Sequence, residues 1–363
     1  MAGDKNRALR RGWSTGACAA AAARAAYAAL LTGTFPDPVT IALPGGMRPQ
    51  FPLALKEREG ACARAGVVKD AGDDPDVTHG ALVIAEVAQA PRGTGIDFRA
   101  GDGVGTVTRP GLALAVGEPA INPGPRTLIR AALDEVAKAR GGDQGDAIVT
   151  LSIPGGAALA AKTLNGRLGI LGGLSILGTT GVVIPYSCSS WIHAIHRGID
   201  VARAAGVAHI AASTGTTSEQ AIQRLCNLPE IALIDMGDFV GGTLKYLRRH
   251  PVRRLTLAGG VGKFAKLAQG HLDLHSARSR LDMRAFARCL DELGASPALI
   301  ALAQKAAGAG EVLDAASPEL AARLAAHVAR EARATALSTL AGGIAVDVAI
   351  FDRMGKLLAH EGA

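Results

Sequence analysis

Ala208-His209-Ile210-Ala211-Ala212-Ser213-Thr214-Gly215 (residues 208–215) reads as a short apolar strand that stops at a hydroxyl-rich turn ending in glycine. The same unit returns twice. Ile231–Ile234 ends at Asp235-Met236-Gly237-Asp238, and Arg254–Ala258 ends at a turn, Gly259-Gly260-Val261-Gly262-Lys263. Helical sequence separates these runs, including Thr243–Arg249, and another helix, Ala194–Ala205, precedes them. An apolar run too short for a helix, closed by glycine and followed by helical periodicity, is a β-turn-α unit. Several in succession predict a parallel sheet covered by helices. The rhythm begins after Ser187, so the boundary is placed near Ser189. The fold expected is an α+β first domain over 1–188 followed by an α/β second domain over 189–363 with a small parallel sheet.

Outward from this core, Ala-rich helices fill Met283 to Ala336. The end reads as a hairpin of Ile344–Phe351 and Lys356–Ala359 around Asp352-Arg353-Met354-Gly355. Towards the N-terminus the periodicity predicts helices at Ala17–Leu31 and Arg126–Arg140. Strands are predicted at Val39–Leu43, Phe51–Leu55, Ala63–Val68, Ala81–Val87 and Ala147–Ile153. The basic run Lys5–Arg11 before an Ala-rich stretch imitates a signal peptide. Arg24 interrupts that stretch, however, and Ser14 and Thr15 stand where helix N-caps belong, so a packed helix is the better reading. The apolar segment from Leu168 to Ile184 carries Gly, Ser and Thr throughout and stops at Pro185, which argues against a membrane span.

Composition narrows the partners. Hydrophobic residues are 48% of the chain but aromatics only 3%, so the core must be built from Ala, Val, Leu and Ile. The formal net charge of +7 suits an anionic ligand. Nucleic acid is a poor fit, because the basic residues are dispersed and aromatic side chains for base stacking are scarce. The five cysteines contain no C-x-x-C pair, which points to a reduced, cytoplasmic protein without structural zinc or disulfides.

In open parallel sheets ligands collect at the carboxyl ends of the strands, beside helix N-termini. Ser213, Thr214, Gly215, Asp235, Gly237, Asp238, Gly259 and Gly260 occupy those ends and are the candidate cofactor-binding residues. Asp235 is the expected acceptor for a ribose diol. Gly259–Lys263 is not a phosphate loop, since Leu257 stands where such a loop needs glycine and Phe264 where it needs Ser or Thr. A second polar concentration lies in Val67-Val68-Lys69-Asp70-Ala71-Gly72-Asp73-Asp74-Pro75-Asp76-Val77-Thr78-His79-Gly80. This loop is too polar for a core. It is expected to serve chemistry rather than folding, with Asp70 and His79 as candidate catalytic bases. One alternative is a metal-assisted hydrolase built on Asp70, Asp73, Asp74 and His79. The pairs His193/His196 and His271/His275 carry no carboxylate pattern that specifies a metal.

The loop is not alone. Gly12-Trp13-Ser14-Thr15-Gly16-Ala17-Cys18 precedes it, and Gly103-Val104-Gly105-Thr106-Val107-Thr108, Gly117-Glu118-Pro119-Ala120-Ile121-Asn122-Pro123, Lys162-Thr163-Leu164-Asn165-Gly166-Arg167-Leu168-Gly169-Ile170 and Gly172-Gly173-Leu174-Ser175-Ile176-Leu177-Gly178-Thr179-Thr180-Gly181 follow in that order. Together these blocks resemble the cobalt-precorrin-5B C(1)-methyltransferase family of cobalamin biosynthesis, over nearly the whole chain. The resemblance implies S-adenosyl-L-methionine as methyl donor, cobalt present only within the substrate, and a polycarboxylate corrinoid as partner. The product would be cobalt-precorrin-6A. On this reading Lys69, Asp73, Asp74, Thr78, Lys162, Asn165, Ser175, Thr179 and Thr180 are the candidate substrate-binding residues, and Gly172–Gly181 is expected to let backbone approach a flat macrocycle. A non-catalytic corrinoid carrier is the remaining alternative, and the sequence leaves homo-oligomerisation open.

Overall fold

The computed structural model describes residues 9–142 and 144–362, so Lys5–Ala8 of the basic run lie outside the described residues. The chain divides after Ser187 into two units. In the first, helix α1 (Thr15–Thr32) starts at Ser14, whose Oγ accepts the Ala17 N–H at 3.1 Å, and ends at Gly33 in the left-handed region. Every residue from Thr15 to Ala29 except Arg24 is buried. Alanine makes this possible, because a bare methyl lets the helix lie close against its neighbours. Arg24 reaches helix α2 (Pro123–Lys138), donating to the Glu135 carboxylate at 2.7 Å and the Ala132 carbonyl at 3.1 Å.

Helix α1 packs on a sheet of β1 (Leu55–Glu59), β2 (Cys62–Val68), β3 (Leu82–Gln89), β4 (Ile96–Ala100) and β5 (Ala147–Ser152), in the order β1-β2-β3-β5-β4. The β4/β5 pair is parallel and the others are antiparallel. Two strand expectations shrink to a two-residue pairing of Val39–Thr40 with Gln50–Phe51. Pro49 and Pro52 flank the second segment and offer no N–H to extend a ladder. Conversely, β1 and β4 are formed by segments without an apolar run (Leu-Lys-Glu-Arg-Glu and Ile-Asp-Phe-Arg-Ala) at the two sheet edges, where solvent tolerates charge.

The second unit opens with helix α3 (Cys188–Ala204), six residues earlier than expected from Ala194. It continues through β6 (His209–Ser213), α4 (Thr216–Cys226), β7 (Leu233–Asp235), α5 (Val240–Arg249), β8 (Arg254–Gly260) and α6 (Val261–Ala268). Helices α7 (Met283–Glu292), α8 (Pro297–Lys305), α9 (Ala309–Ala315) and α10 (Pro318–Leu340) follow, then β9 (Ala345–Phe351) and β10 (Leu357–Glu361). Ser296-Pro297 and Ser317-Pro318 each place a capping hydroxyl ahead of a proline at the first helical position. The sheet order is β7-β6-β8-β9-β10, parallel through β9 and antiparallel at the final hairpin. Gly259 and Gly260 are corrected from a turn to strand: they pair with Ile350 and Phe351, and helix begins at Val261. Among the described residues no helix is long and apolar enough to cross a membrane.

Candidate functional site

Alternation of side chains across the parallel sheet decides where a ligand can sit. Ile210, Ala212, Leu255 and Leu257 face the core shared with α5 and α6, while Ala211, Leu233 and Ala258 face Ala221 and Ile222 of α4. The chain therefore leaves β6 over one face of the sheet and leaves β8 over the other. Since β6 and β8 are neighbours, the crevice between their carboxyl ends is the topological switch point at which open α/β sheets bind ligands. Its walls are Ser213-Thr214-Gly215 and Gly259-Gly260-Val261. Gly215 caps α4 and Gly260 caps α6 without any side-chain hydrogen bond to the helix. A β-carbon placed on Gly215 or Gly262 would meet nothing within 4 Å, and on Gly260 only the Phe351 carbonyl at 3.8 Å. Gly259 differs, because a β-carbon there would meet Thr214 Oγ1 at 2.6 Å and the Phe264 ring, so this glycine serves packing.

Lys263 ties the crevice together. Its Nζ donates to the Thr214 carbonyl at 2.9 Å and stands 3.1 Å from Asp238 Oδ1. The second contact is an ion pair by distance without hydrogen-bond geometry, so Asp238 Oδ1 is buried with no hydrogen-bond partner among the described residues. Ser213, wholly buried, has an Oγ in the same condition. At Asp235 the backbone carbonyl accepts the Trp191 indole N–H at 3.2 Å. Sequence reading missed Trp191, although scarcity of aromatics was a signal that either tryptophan could matter.

In the first unit the Asp-rich loop is held by its own chain. The Arg10 guanidinium pairs with both oxygens of Asp70, with the Nη2 contact at 2.8 Å, and Gly72 N–H donates to Asp70 Oδ1 at 2.9 Å. Asp73 accepts the Arg10 N–H at 2.6 Å and Asp74 accepts the Tyr186 N–H at 2.9 Å. Gly12 and Gly72 allow the two segments to meet, since a β-carbon on either would overlap the opposite backbone. The loop thus clamps residues 10–13, which corrects the expectation that it has no structural task. Lys69 is corrected as well. It is buried, 1% exposed, and ion-paired with Asp76, so it cannot reach a substrate carboxylate as the chain stands. Thr78 donates to Asp76 Oδ1 at 2.6 Å.

The two candidate bases fare differently from expectation. The Arg10 hydrogen bond, helped by the Gly72 N–H, holds the Asp70 carboxyl down at about 2, a weak base at neutral pH. His79 is half exposed, and its Nδ1 accepts the Ala71 N–H at 3.1 Å. The neutral ring then carries its proton on Nε2, which suits donation to a ligand better than proton abstraction. Among the described residues no group of three or more His, Cys, Asp or Glu side chains is arranged to hold a metal ion. The Asp70 value also gives a stability test. A carboxyl lowered from 3.8 to about 2 stabilises the fold above the unfolded value and stops doing so as pH falls through the folded one. The stability gap between wild type and Asp70→Asn, measured by urea unfolding, should be constant near pH 6 and close between about pH 4 and 2. A gap independent of pH across that window would mean that the Arg10 pair contributes nothing.

Elsewhere in this unit, Asn165 and Ser175 are buried. Asn165 donates to the Gly173 carbonyl at 3.3 Å and accepts from Ser175 Oγ at 3.4 Å. Lys162, Thr179 and Thr180 are exposed, with the Thr180 hydroxyl folded back onto Val182. The glycines of 172–181 largely meet protein. A β-carbon on Gly173 would overlap Gly103 backbone, one on Gly178 would overlap Ser14, and one on Gly181 would press on Leu43. Gly172 alone among these four faces open space.

Comparison with known proteins agrees across the chain. The CbiD family model matches residues 2–185, and that of the CbiD C-terminal domain matches residues 273–362. A cobalt-precorrin-5B C(1)-methyltransferase from Bradyrhizobium sp. strain BTAi1 is 60% identical, covering 98% of this chain and 94% of that protein. Proteins of the same name from Paramagnetospirillum magneticum and Agrobacterium fabrum are each 57% identical, covering 97% and 96% of this chain and 98% and 92% of their own lengths. A crystal structure of the cobalamin biosynthesis protein CbiD from Archaeoglobus fulgidus is similar at 28% identity and a TM-score of 0.39, covering 69% of this chain and 77% of that one. By sequence, from its glycine-rich first unit to its final hairpin, the chain belongs to the CbiD family.

Proposed function

We propose that this protein methylates ring carbon 1 of cobalt-precorrin-5B, giving cobalt-precorrin-6A in cobalamin biosynthesis, with S-adenosyl-L-methionine as donor. The observation that carries the reading is identity of 54–60% with methyltransferases of that name over 96–98% of the chain. The crevice at the ends of β6 and β8 supports a place for the donor. Two buried polar atoms, Ser213 Oγ and Asp238 Oδ1, have hydrogen-bonding capacity to offer, and Gly215, Gly260 and Gly262 leave room beside them. Ser213, Thr214, Gly215, Asp235, Gly237, Asp238 and Gly260 would surround it, with Gly259 packed behind against Phe264. When bound, the donor supplies an electrophilic methyl group on a sulfonium.

The protein's own work is then binding, alignment and exclusion of water, which supply most of the acceleration when the nucleophile belongs to the substrate. In the first unit, His79 Nε2–H and the exposed Lys162 and Thr179 are the groups we assign to the polycarboxylate corrinoid. The five free cysteines fit a reducing cytoplasm. Single-turnover reaction of purified protein with a labelled methyl donor and cobalt-precorrin-5B should yield a corrinoid heavier by one methyl group at carbon 1. Corrinoid binding with no transfer and no calorimetric affinity for S-adenosylhomocysteine would instead identify a carrier.

A further inference from the structure

Resting on the reading of the crevice as the methyl-donor site, we infer that Asp238 and Trp191 form its nucleoside end: Asp238 takes the vicinal diol of the ribose and the Trp191 indole stacks on the adenine. Sequence pattern pointed to Asp235, the last residue of β7, for the diol. The structure redirects the role three residues onward. Asp238 Oδ1 is buried and charge-balanced by Lys263, yet the Lys263 hydrogen bond goes to the Thr214 carbonyl and leaves Oδ1 unsatisfied. A carboxylate can only accept, and its two oxygens match the two O–H donors of a vicinal diol. A buried acceptor without a donor is costly, and a ligand that brings two hydroxyls removes that cost. Ser213 Oγ, the other unpartnered buried atom, lies at the end of the adjacent strand, where its residue pairs with Asp235.

Trp191 stands beside the same loop. Its side chain is 47% exposed, one edge is pinned by the hydrogen bond to the Asp235 carbonyl, and a β-carbon on Gly237 would lie 3.3 Å from the ring. Phe239 flanks it at 6.3 Å. An indole fixed at one edge and still open to solvent loses little freedom when a flat heterocycle covers it, and base–aromatic stacking is a strong, geometry-tolerant contact. Gly237 adjoins Asp238 in the chain, so the two features are contiguous within one turn.

The test uses full-length protein carrying Trp13→Phe, which leaves Trp191 as the sole tryptophan. Titration with S-adenosylhomocysteine should quench its fluorescence. By calorimetry, Trp191→Phe and Asp238→Asn should each weaken binding roughly 10-fold or more, with thermal midpoints checked in the same preparations. Wild type should also bind S-adenosylhomocysteine more tightly than its 2′-deoxy analogue, and Asp238→Asn should lose that preference while Asp238→Glu partly restores it. A purely structural role for Asp238 would not change the preference. Gly260→Leu, which fills open space in the crevice, separates the two claims. If it abolishes binding while Trp191→Phe and Asp238→Asn bind normally, the nucleoside assignment is wrong and the crevice stands. If Gly260→Leu also binds normally, or if wild type shows no affinity, the crevice reading itself falls.

Discussion

Gly103→Ala and Gly173→Ala are each expected to cost about 3–5 kcal/mol of folding stability, enough to leave little soluble protein. The reason is a crossing of three backbone segments without side chains between them. A β-carbon on Gly103 would overlap the Ile153 carbonyl oxygen, one on Gly156 would overlap the Gly103 carbonyl, and one on Gly173 would overlap Gly103 itself. Hydrogen bonds lock the crossing: Leu174 N–H donates to the Gly103 carbonyl at 2.9 Å and Gly105 N–H to the Leu174 carbonyl at 2.9 Å. Gly103 also has φ near +71°, which adds backbone strain to any side chain. Gly172→Ala is the control. Its φ is +85° but its surroundings are open, so only the left-handed penalty of about 1–2 kcal/mol applies. Urea unfolding followed by circular dichroism ranks the three variants. Wild-type stability in Gly173→Ala, with corrinoid affinity lost, would return this glycine to a direct role at the substrate.

That comparison shows where the sequence was legible. Glycine-rich stretches announce close approach but not what approaches. In Gly172–Gly181 the neighbour is mostly the protein itself, backbone at Gly103 and side chains at Ser14 and Leu43, information that lies far away in sequence. The parallel sheet was readable because each β-turn-α unit is local. Strand ends at Ser213, Asp235 and Gly260 fall within a residue or two of expectation. The edge strands Leu55–Glu59 and Ile96–Ala100 were not, since neither contains an apolar run and only their partners make them strands. The loop at 69–80 stands out in the sequence for its charge, whereas its task of clamping residues 10–13 does not. Its partners include Arg10, from a basic run that invited comparison with a leader, and Tyr186, more than a hundred residues away. Asp235 and Asp238 look alike as strand-end acids. What sets Asp238 apart is Lys263, in the first turn of α6, which stands 3.1 Å from its Oδ1 while that oxygen has no hydrogen-bond partner among the described residues.

Asp76→Ala should be as disruptive as the glycine variants, at about 3–5 kcal/mol, because it strands a buried ammonium. Lys69 continues β2 towards the loop, its N–H donating to the Ala81 carbonyl at 2.9 Å, and its side chain turns inward rather than to solvent. Asp76 is its ionic partner, and it also accepts from the Thr78 N–H at 2.7 Å. Burial pushes the Asp76 carboxyl up, but the bonds from Lys69 and Thr78 outweigh it and hold the group below its ordinary value. Asp76 is therefore ionised at neutral pH, and its contribution fades as pH falls through its lowered value. Removing the other partner is gentler. Lys69→Met keeps the volume of the stem, and Asp76, a quarter exposed, can recruit water while retaining Thr78, so a loss of about 1–3 kcal/mol is expected. Combining Lys69→Met with Asp76→Ala should recover part of the damage of Asp76→Ala alone, giving a coupling energy of about 1–3 kcal/mol by double-mutant cycle. Cys18 reports on the same interior: burial drives its thiol up to about 12, against the opposing influence of Lys69, so it should stay unreactive towards thiol reagents in the folded wild type. In Asp76→Ala, faster Cys18 labelling should accompany the loss of stability, because both follow from opening the same core. Were Lys69 instead a hand for substrate carboxylates, Lys69→Met would keep wild-type stability and lose corrinoid affinity, and the cycle would show no coupling. The buried ion pair would then have no part in holding the loop that clamps residues 10–13.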